Sequence, residues 1–268
     1  MTHVDVLVVN YGTGDLVRRG VELVQGPGVH VWVHDNSGEL LADPPPGVSL
    51  LGDGSNAYFA AGNNTLYAQC DAPYVLLLNP DVELAHADLQ RLVSALHDRP
   101  DAWGVAPRLL EADGSDQHYL YALPTVRALL ADRLPLLRKV FRRSYRTYIQ
   151  QDLDLRLPQT VIQPPAACLL VRRSVVGPQL FDPAYRLFFN DTDLARRLNV
   201  THECWYAADV TARHLRGESF ARLPLGYDTA REYDRTLLRY ARANLRWWPV
   251  LLPVLALRRS GYRLASRR

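Results

Sequence analysis

Four clusters of carboxylates and amides in this chain sit just past runs of strand-forming residues. In open α/β sheets, ligands bind beyond the carboxyl ends of the strands. Asn10 follows the apolar run Val4–Val9, and Asp35 follows Val29–Val33. Asn79 and Asp81 follow the VLLL of 75–78, and Asp191 and Asp193 follow the pair Phe188-Phe189. Each cluster suits a definite chemistry. A carboxylate at Asp35 can accept the N–H of a uracil or thymine ring, although DNSG at 35–38 is also a good turn sequence. Asn79-Pro80-Asp81 holds one carboxylate on a loop stiffened by proline. One carboxylate suffices for a hard divalent cation that takes its other oxygens from diphosphate and water. The competing use of Asp81 is to cap a strand-to-helix turn. Asp191 and Asp193, at i and i+2, do not share a helix face. One can point into a cleft and take a proton from an acceptor hydroxyl, while the other holds the helix start or Arg196-Arg197. Asp191 is the preferred base, with capping at the positive helix end as the bland alternative. His214, in HLRGESF, can ligate the cation or touch diphosphate, though a lone histidine is weak by itself.

Other chemistries fail on spacing. His202-Glu203 lacks the second histidine of HExxH, which excludes a zincin. Gly12-Thr13-Gly14 has neither the dinucleotide-binding spacing nor the Walker lysine, so it reads as a turn. Cys70, Cys168 and Cys204 lie far apart with no CxxC pair. They argue against a disulfide framework or a cysteine zinc site and favour a reducing compartment.

The elements that must position these groups alternate strand, turn, helix and strand from the start, which predicts an open, mostly parallel sheet flanked by helices. The periodicity predicts helices at Leu16–Val24, Asn63–Cys70, Ala87–Leu96 and Asp191–Leu198. It predicts strands at Val48–Leu51, Trp103–Pro107, Ala166–Val171 and Trp205–Ala208. Residues 111–158 read as a basic insertion with helix around Val126–Phe141, and Tyr227–Arg242 as a charged amphipathic helix. The expected organisation is a catalytic domain over 1–226 and a basic helical extension over 227–268.

Composition bounds the partners. The chain has 268 residues, 48% of them apolar, with a formal charge of +3. That supports a full core and gives no ground for nucleic acid as a partner. The basic residues cluster: LRKVFRRSYR at 137–146 carries five positive charges and no acid, and no acid occurs beyond Asn244. The N-terminus has no secretion-signal pattern. The longest apolar run, Trp247–Leu257, is too short to span a bilayer and holds two prolines. The expected location is cytoplasmic, with peripheral contact to the plasma membrane through tryptophans and arginines at the C-terminus. Packing on the catalytic domain and a homo-oligomer contact are the competing uses of that segment.

In their order, VVNYG at 8–12, HDNSG at 34–38, GSNAYFAAGNN at 54–64, LLLNPDVEL at 76–84, PAACLLVRRS at 165–174, FFNDTDLARRL at 188–198 and HLRGESF at 214–220 resemble one family. It is the inverting GT-A glycosyltransferases of family 2, in the bacterial rhamnosyltransferase-like branch, which serves cell-envelope polysaccharide synthesis. The resemblance implies a nucleotide-diphospho-sugar transferase fold. It implies that Asn10 and Asp35 form the nucleotide base and ribose site, and that Asn56 to Asn63 form a glycine-rich loop near the nucleotide and donor sugar. Asn79 and Asp81 stand for the metal motif, which is Asp-x-Asp in many relatives. Asp191 stands for the catalytic Asp, and His214 for the histidine near metal and diphosphate. The metal ligands of this chain are then Asp81 and His214. Asn79 replaces a metal-motif carboxylate, and Asn190 stands where Glu is usual.

The mechanism so implied is a single displacement with inversion. The donor is a dTDP- or UDP-sugar, with dTDP-rhamnose favoured, and the cation is Mg2+ or Mn2+. The acceptor is a hydroxyl of a glycan or lipid-linked sugar. The rival readings are a nucleotidyltransferase, a non-catalytic nucleotide-sugar-binding homologue, and a phosphatase built on Asp191-Thr192-Asp193. The last has Ala195 where its motif needs Thr or Val.

Overall fold

The computed structural model describes residues 3–215 and 229–257. Its first half is a parallel α/β unit. Strand β1 (Val4–Asn10), helix α1 (Gly14–Val24), β2 (Val29–Asp35), β3 (Val48–Leu51), α2 (Tyr58–Tyr67) and β4 (Tyr74–Leu78) follow in turn. Then come β5 (Val82–Glu83), α3 (His86–His97) and β6 (Ala102–Leu110). The predicted insertion contains α4 (Val126–Arg133), α5 (Leu137–Val140) and α6 (Arg142–Tyr148). After it run β7 (Gln159–Val161), β8 (Cys168–Arg172), α7 (Arg173–Val176), α8 (Asn190–Leu198) and β9 (Glu203–His214). Helix α9 (Thr229–Asn244), a 3-10 turn at Trp248–Val250 and a helical stretch over 251–257 close the described chain.

The strands form one nine-stranded sheet in the order β3-β2-β1-β4-β8-β6-β9-β5, with β7 also on β9. Strands β1 to β4 pair in parallel, and β6 is parallel to β9. Strand β8 is inserted between β4 and β6 antiparallel to both. The sheet is mostly parallel, as expected, with one reversed strand inside it, and short antiparallel strands β5 and β7 finish its edge.

Alternation along the central strands divides the core. In β1, Val4, Val6 and Val8 face the layer of α1 and α3, while Leu7 and Val9 face the layer of α2 and α8. In β4, Leu76 and Leu78 take the first side, and Val75 and Leu77 the second. Strands covered on both faces read as unbroken apolar runs, which is why VDVLVV and VLLL stand out in the sequence. Asp5 is the polar exception in β1. Its carboxylate accepts Trp32 Nε1 at 3.0 Å and the backbone N–H groups of Asp71 and Ala72, so it fixes the turn into β4.

Two expected helices differ in the structure. Helix α2 begins at Tyr58, five residues before the predicted start, because packing overrides the weak propensity of Gly62-Asn63-Asn64. A Cβ on Gly62 would stand 3.2 Å from the Val9 side chain, so glycine lets this helix lie against β1. The helix expected over Val126–Phe141 is broken in two. Leu134 is extended (φ −124°, ψ 100°), as the residue before Pro135 must be. Strand β9 is longer than expected and carries His214 as its last residue rather than in a following loop.

A third apolar cluster joins the insertion to the C-terminal part. Leu129 and Leu130 of α4 pack with Leu237, Tyr240 and Ala241 of α9 and with Leu251, Val254 and Leu255. Tyr185 and Phe189 complete it just before α8. The expected boundary at 226/227 falls outside the described residues, as do Gly217 and the rest of the 214–220 motif after Leu215. Among the described residues, no helix is long and apolar enough to cross a membrane.

Candidate active site

The ends of β1 and β2 are in register, with Asn10 opposite Asp35. Asn10 Nδ2 donates to Asp35 Oδ1 at 3.0 Å, and Asn10 Oδ1 accepts both the N–H and the hydroxyl of Thr13. Asp35 Oδ1 also accepts from the backbone and hydroxyl of Ser37, and Oδ2 from Leu40 N at 2.7 Å. Burial alone would raise the Asp35 carboxyl, but these hydrogen bonds outweigh it and hold the group below its ordinary value. Gly52, at φ +99°, lets the end of β3 close on this corner, where a Cβ would meet Asp35 O at 2.6 Å. The corner is thus a rigid frame for the loop after β2, and both side chains are buried. Asn56 accepts from Tyr58 N at 2.8 Å as a turn residue. Asn63 lies inside α2 and donates to Phe59 O at 2.9 Å, so the predicted loop 56–63 is helical from Tyr58 onward.

Asn79, Asp81 and His214 come together through strand pairing. Val82 of β5 is paired with His214 of β9, and Leu215 N donates to Asp81 O at 2.8 Å. His214 Nε2 lies 3.4 Å from Asp81 Oδ1, with both side chains almost fully buried. The other ring nitrogen faces a residue that the sequence did not flag. His214 Nδ1 is 3.0 Å from Gln117 Oε1. Gln117 Nε2 donates to Glu111 Oε2 at 2.7 Å and to His214 O at 2.8 Å. Two acceptors fix the amide, so its oxygen must accept and His214 Nδ1 carries a proton. The other ring nitrogen, Nε2, faces the Asp81 carboxylate. That is the donor arrangement of a cation site with a supporting amide behind the histidine. Two donors at ~2.1 Å from a hard cation and at roughly a right angle stand ~3 Å apart, so the pair fits with little movement. Among the described residues no group of three or more His, Cys, Asp or Glu is placed to hold a metal ion. A cation here would take its remaining oxygens from diphosphate and water. Asn79 Oδ1 is buried with no hydrogen-bond partner among the described residues. The signal for Gln117 was faint: a hairpin at Glu111–Ser115 brings it back beside Leu109, and only that turn places it under His214.

At the start of α8 the two aspartates divide. Asp193 is buried and paired with Arg196 at 2.9 Å and Arg197 at 3.0 Å. Asp191 Oδ1 accepts Thr192 N at 2.7 Å, and its side chain borders a cavity. Burial pushes the Asp191 carboxyl above its ordinary value, against hydrogen bonds from the backbone that pull the other way. A carboxylate so raised is a better base. Asn190 accepts Asp191 N at 2.7 Å and donates to Leu187 O at 3.1 Å, a local cap that needs no charge. Phe189 before it holds φ +64°, a strained value for a phenylalanine, kept by its packing against Tyr233 and Tyr240.

These groups share one cavity of about 580 Å³. Asn79, Asp81 and His214 line it together with Asp191. The insertion and α9 add Asp132, Arg133 and Tyr233. Asn10, Asp35, Asn56 and Asn63 do not line it. The three cysteines are free and buried, with thiols pushed up by burial, and have no part in it.

No protein-family profile matches the chain. It is 26% identical, over 91% of its length and 85% of the relative, to the N-acetylglucosaminyl-diphospho-decaprenol L-rhamnosyltransferase of Mycobacterium tuberculosis. Among solved structures, TarS 1-349 of S. aureus aligns with 91% of this chain and 73% of its own, at a TM-score of 0.53 and 11% identity. The mannosyltransferase PcManGT of Pyrobaculum calidifontis, in complex with GDP-Man and Mn2+, aligns with 98% of this chain and 80% of its own, at 0.51 and 15%. The fold is that of the GT-A glycosyltransferases, with a reversed strand in an otherwise parallel sheet.

Proposed function

We propose that this chain, a GT-A glycosyltransferase by fold and relationship, moves a sugar from a nucleotide diphosphate to a hydroxyl with inversion. The observation that carries the proposal is the shared cavity: a carboxylate–histidine pair with a buried amide, and a carboxylate of raised pKa at a helix start, face one space. Its volume is in the range of small-molecule sites.

By the family resemblance the nucleotide would lie past the ends of β1 and β2, where the buried Asn10 and Asp35 frame the loop, and the diphosphate toward Asn79, Asp81 and His214. Asp81 and His214 would hold a Mg2+ or Mn2+ ion, which when bound neutralises charge on the departing diphosphate. Gln117 orients the His214 ring so that Nε2 is aimed at that place. Asp191 takes the proton of the attacking hydroxyl while the oxygen approaches the anomeric carbon from the side away from the diphosphate.

The mycobacterial relative's name supports an L-rhamnosyl donor and a lipid-linked N-acetylglucosaminyl acceptor, with dTDP-rhamnose as the first donor to test. Such an acceptor agrees with peripheral membrane contact. Trp247, Val250, Leu252 and Leu257 are exposed while Leu251, Val254 and Leu255 are buried, so one side of the C-terminal segment packs and the other faces out. The test is a panel of dTDP- and UDP-sugars with Mg2+ or Mn2+, read by nucleotide release and by product. Release from one donor only, abolished by chelation, is the expected result. No release from any donor sinks the proposal.

A further inference from the structure

The cavity has a side that the donor chemistry leaves unused. It is built by the insertion, by the segment after β7 and by α9. Gln163 is 6% exposed and borders the cavity, yet its Oε1 has no hydrogen-bond partner among the described residues. An uncompensated buried amide is costly and asks for a ligand. Its backbone is fixed by the two-way bridge with Tyr121. Beside it in the same lining stand Asp132 and Arg133, which are paired to each other (Arg133 Nε to Asp132 Oδ2, 2.8 Å). The Arg133 guanidinium lies 4.1 Å over the ring of Tyr233. The Tyr233 ring in turn contacts Phe188 and Phe189, directly ahead of Asn190-Asp191.

We propose that Gln163, Asp132, Arg133 and Tyr233 form a pyranose-binding subsite that holds the acceptor sugar with its reacting hydroxyl toward Asp191. The inference rests on the transferase reading above and names the acceptor's side of that site. The chemistry selects a sugar ring over other occupants. Sugar hydroxyls both donate and accept, and the Gln163 amide and the Asp132–Arg133 couple answer both needs. A bare phosphate fits poorly, because Asp132 already neutralises Arg133. An alkyl chain would leave Gln163 Oε1 unpaired. Burial first, and the neighbouring Asp132 and Asp191 among the lesser causes, raise the phenol of Tyr233 to about 12, and that of Tyr148 in the same lining well above its ordinary value. Both stay protonated and able to donate, and Asp191 lines the same cavity.

The test uses the full chain, methyl N-acetylglucosaminide as a soluble acceptor probe, and the donor identified by the panel. Gln163→Leu and Asp132→Asn are compared with wild type in three readouts: acceptor KM, donor hydrolysis by water, and saturation-transfer NMR of the glycoside. Thermal melts confirm that each variant is folded, and Asp132→Asn serves if Gln163→Leu is not. The expected result is an acceptor KM raised about tenfold or more, a weakened glycoside signal, and donor hydrolysis and donor KM unchanged. An unchanged acceptor KM and glycoside signal in a folded variant overturns the subsite. So does a raised donor KM with acceptor KM intact, which would assign the residues to the donor sugar. A wild type that consumes no donor, yet whose glycoside signal is lost in Gln163→Leu, supports the sugar site and sinks the transferase reading instead.

Discussion

Asp191 differs from Asp193, two residues on, mainly in what surrounds it, and that difference yields two predictions. Asp191→Asn should lower turnover by about 10²- to 10⁴-fold while donor affinity, read by calorimetry, stays near wild type. In wild type, the acid limb of kcat should fall at a pH above the usual carboxylate value of about 3.9, because burial raises this group. The same shift sets a stability trend. A carboxyl raised in the folded state gives its full stabilisation below its unfolded value and loses it as pH rises through the folded value. Asp191→Asn should therefore melt higher than wild type at neutral pH, with the gap closing toward acid pH. A constant gap across that range would contradict the raised value. Gln117 gives a separate test. Gln117→Leu should weaken Mn2+-supported nucleotide binding by about 10- to 100-fold, and 15N NMR should show His214 losing its preference for the Nδ1-protonated form. Asp35, Asp81, Asp191 and His214 were visible in the sequence because each closes or follows an apolar run. Gln117 and Gln163 were not, because neither sits at a strand end and each owes its place to a turn or bridge formed by distant residues.

At the scale of elements, the strands were legible wherever burial on both faces leaves continuous apolar runs. Strand β4, VLLL in its middle, is the clearest case, and its five residues are all buried. The helices were less so. The glycine and asparagines of α2 conceal it from propensity, and Pro135 splits what periodicity alone joins. The short strands β5 and β7 carry too few residues for any pattern, yet β5 is what brings Asp81 to His214. Glycine has one decisive use here. Gly52→Ala should cost more than about 1 kcal/mol in urea unfolding, because its φ is positive and its Cβ would meet the Asp35 backbone. A neutral substitution would mean that the corner at Asn10 and Asp35 is looser than drawn.

Over the whole molecule, the C-terminal part packs on the rest of the chain. Helix α9 and residues 251–255 share a core with α4 of the insertion, and that core backs the cavity through Phe189 and Tyr233. Leu251 is fully buried, so Leu251→Ala should lose about 2–5 kcal/mol of stability. Trp247 is exposed, so Trp247→Ala should leave stability within about 0.5 kcal/mol but reduce co-sedimentation with anionic vesicles. Equal effects on both readouts would contradict this division of the segment into a packed and an outward side. The central claim is inverting transfer of a sugar with Asp191 as base, and one measurement meets it most directly. Product made from a donor of known anomeric configuration is examined by NMR, with wild type and Asp191→Asn side by side. The expected product has the opposite configuration and is formed by the variant at no more than about a hundredth of the wild-type rate. A product with retained configuration, or a variant as fast as wild type, would contradict it.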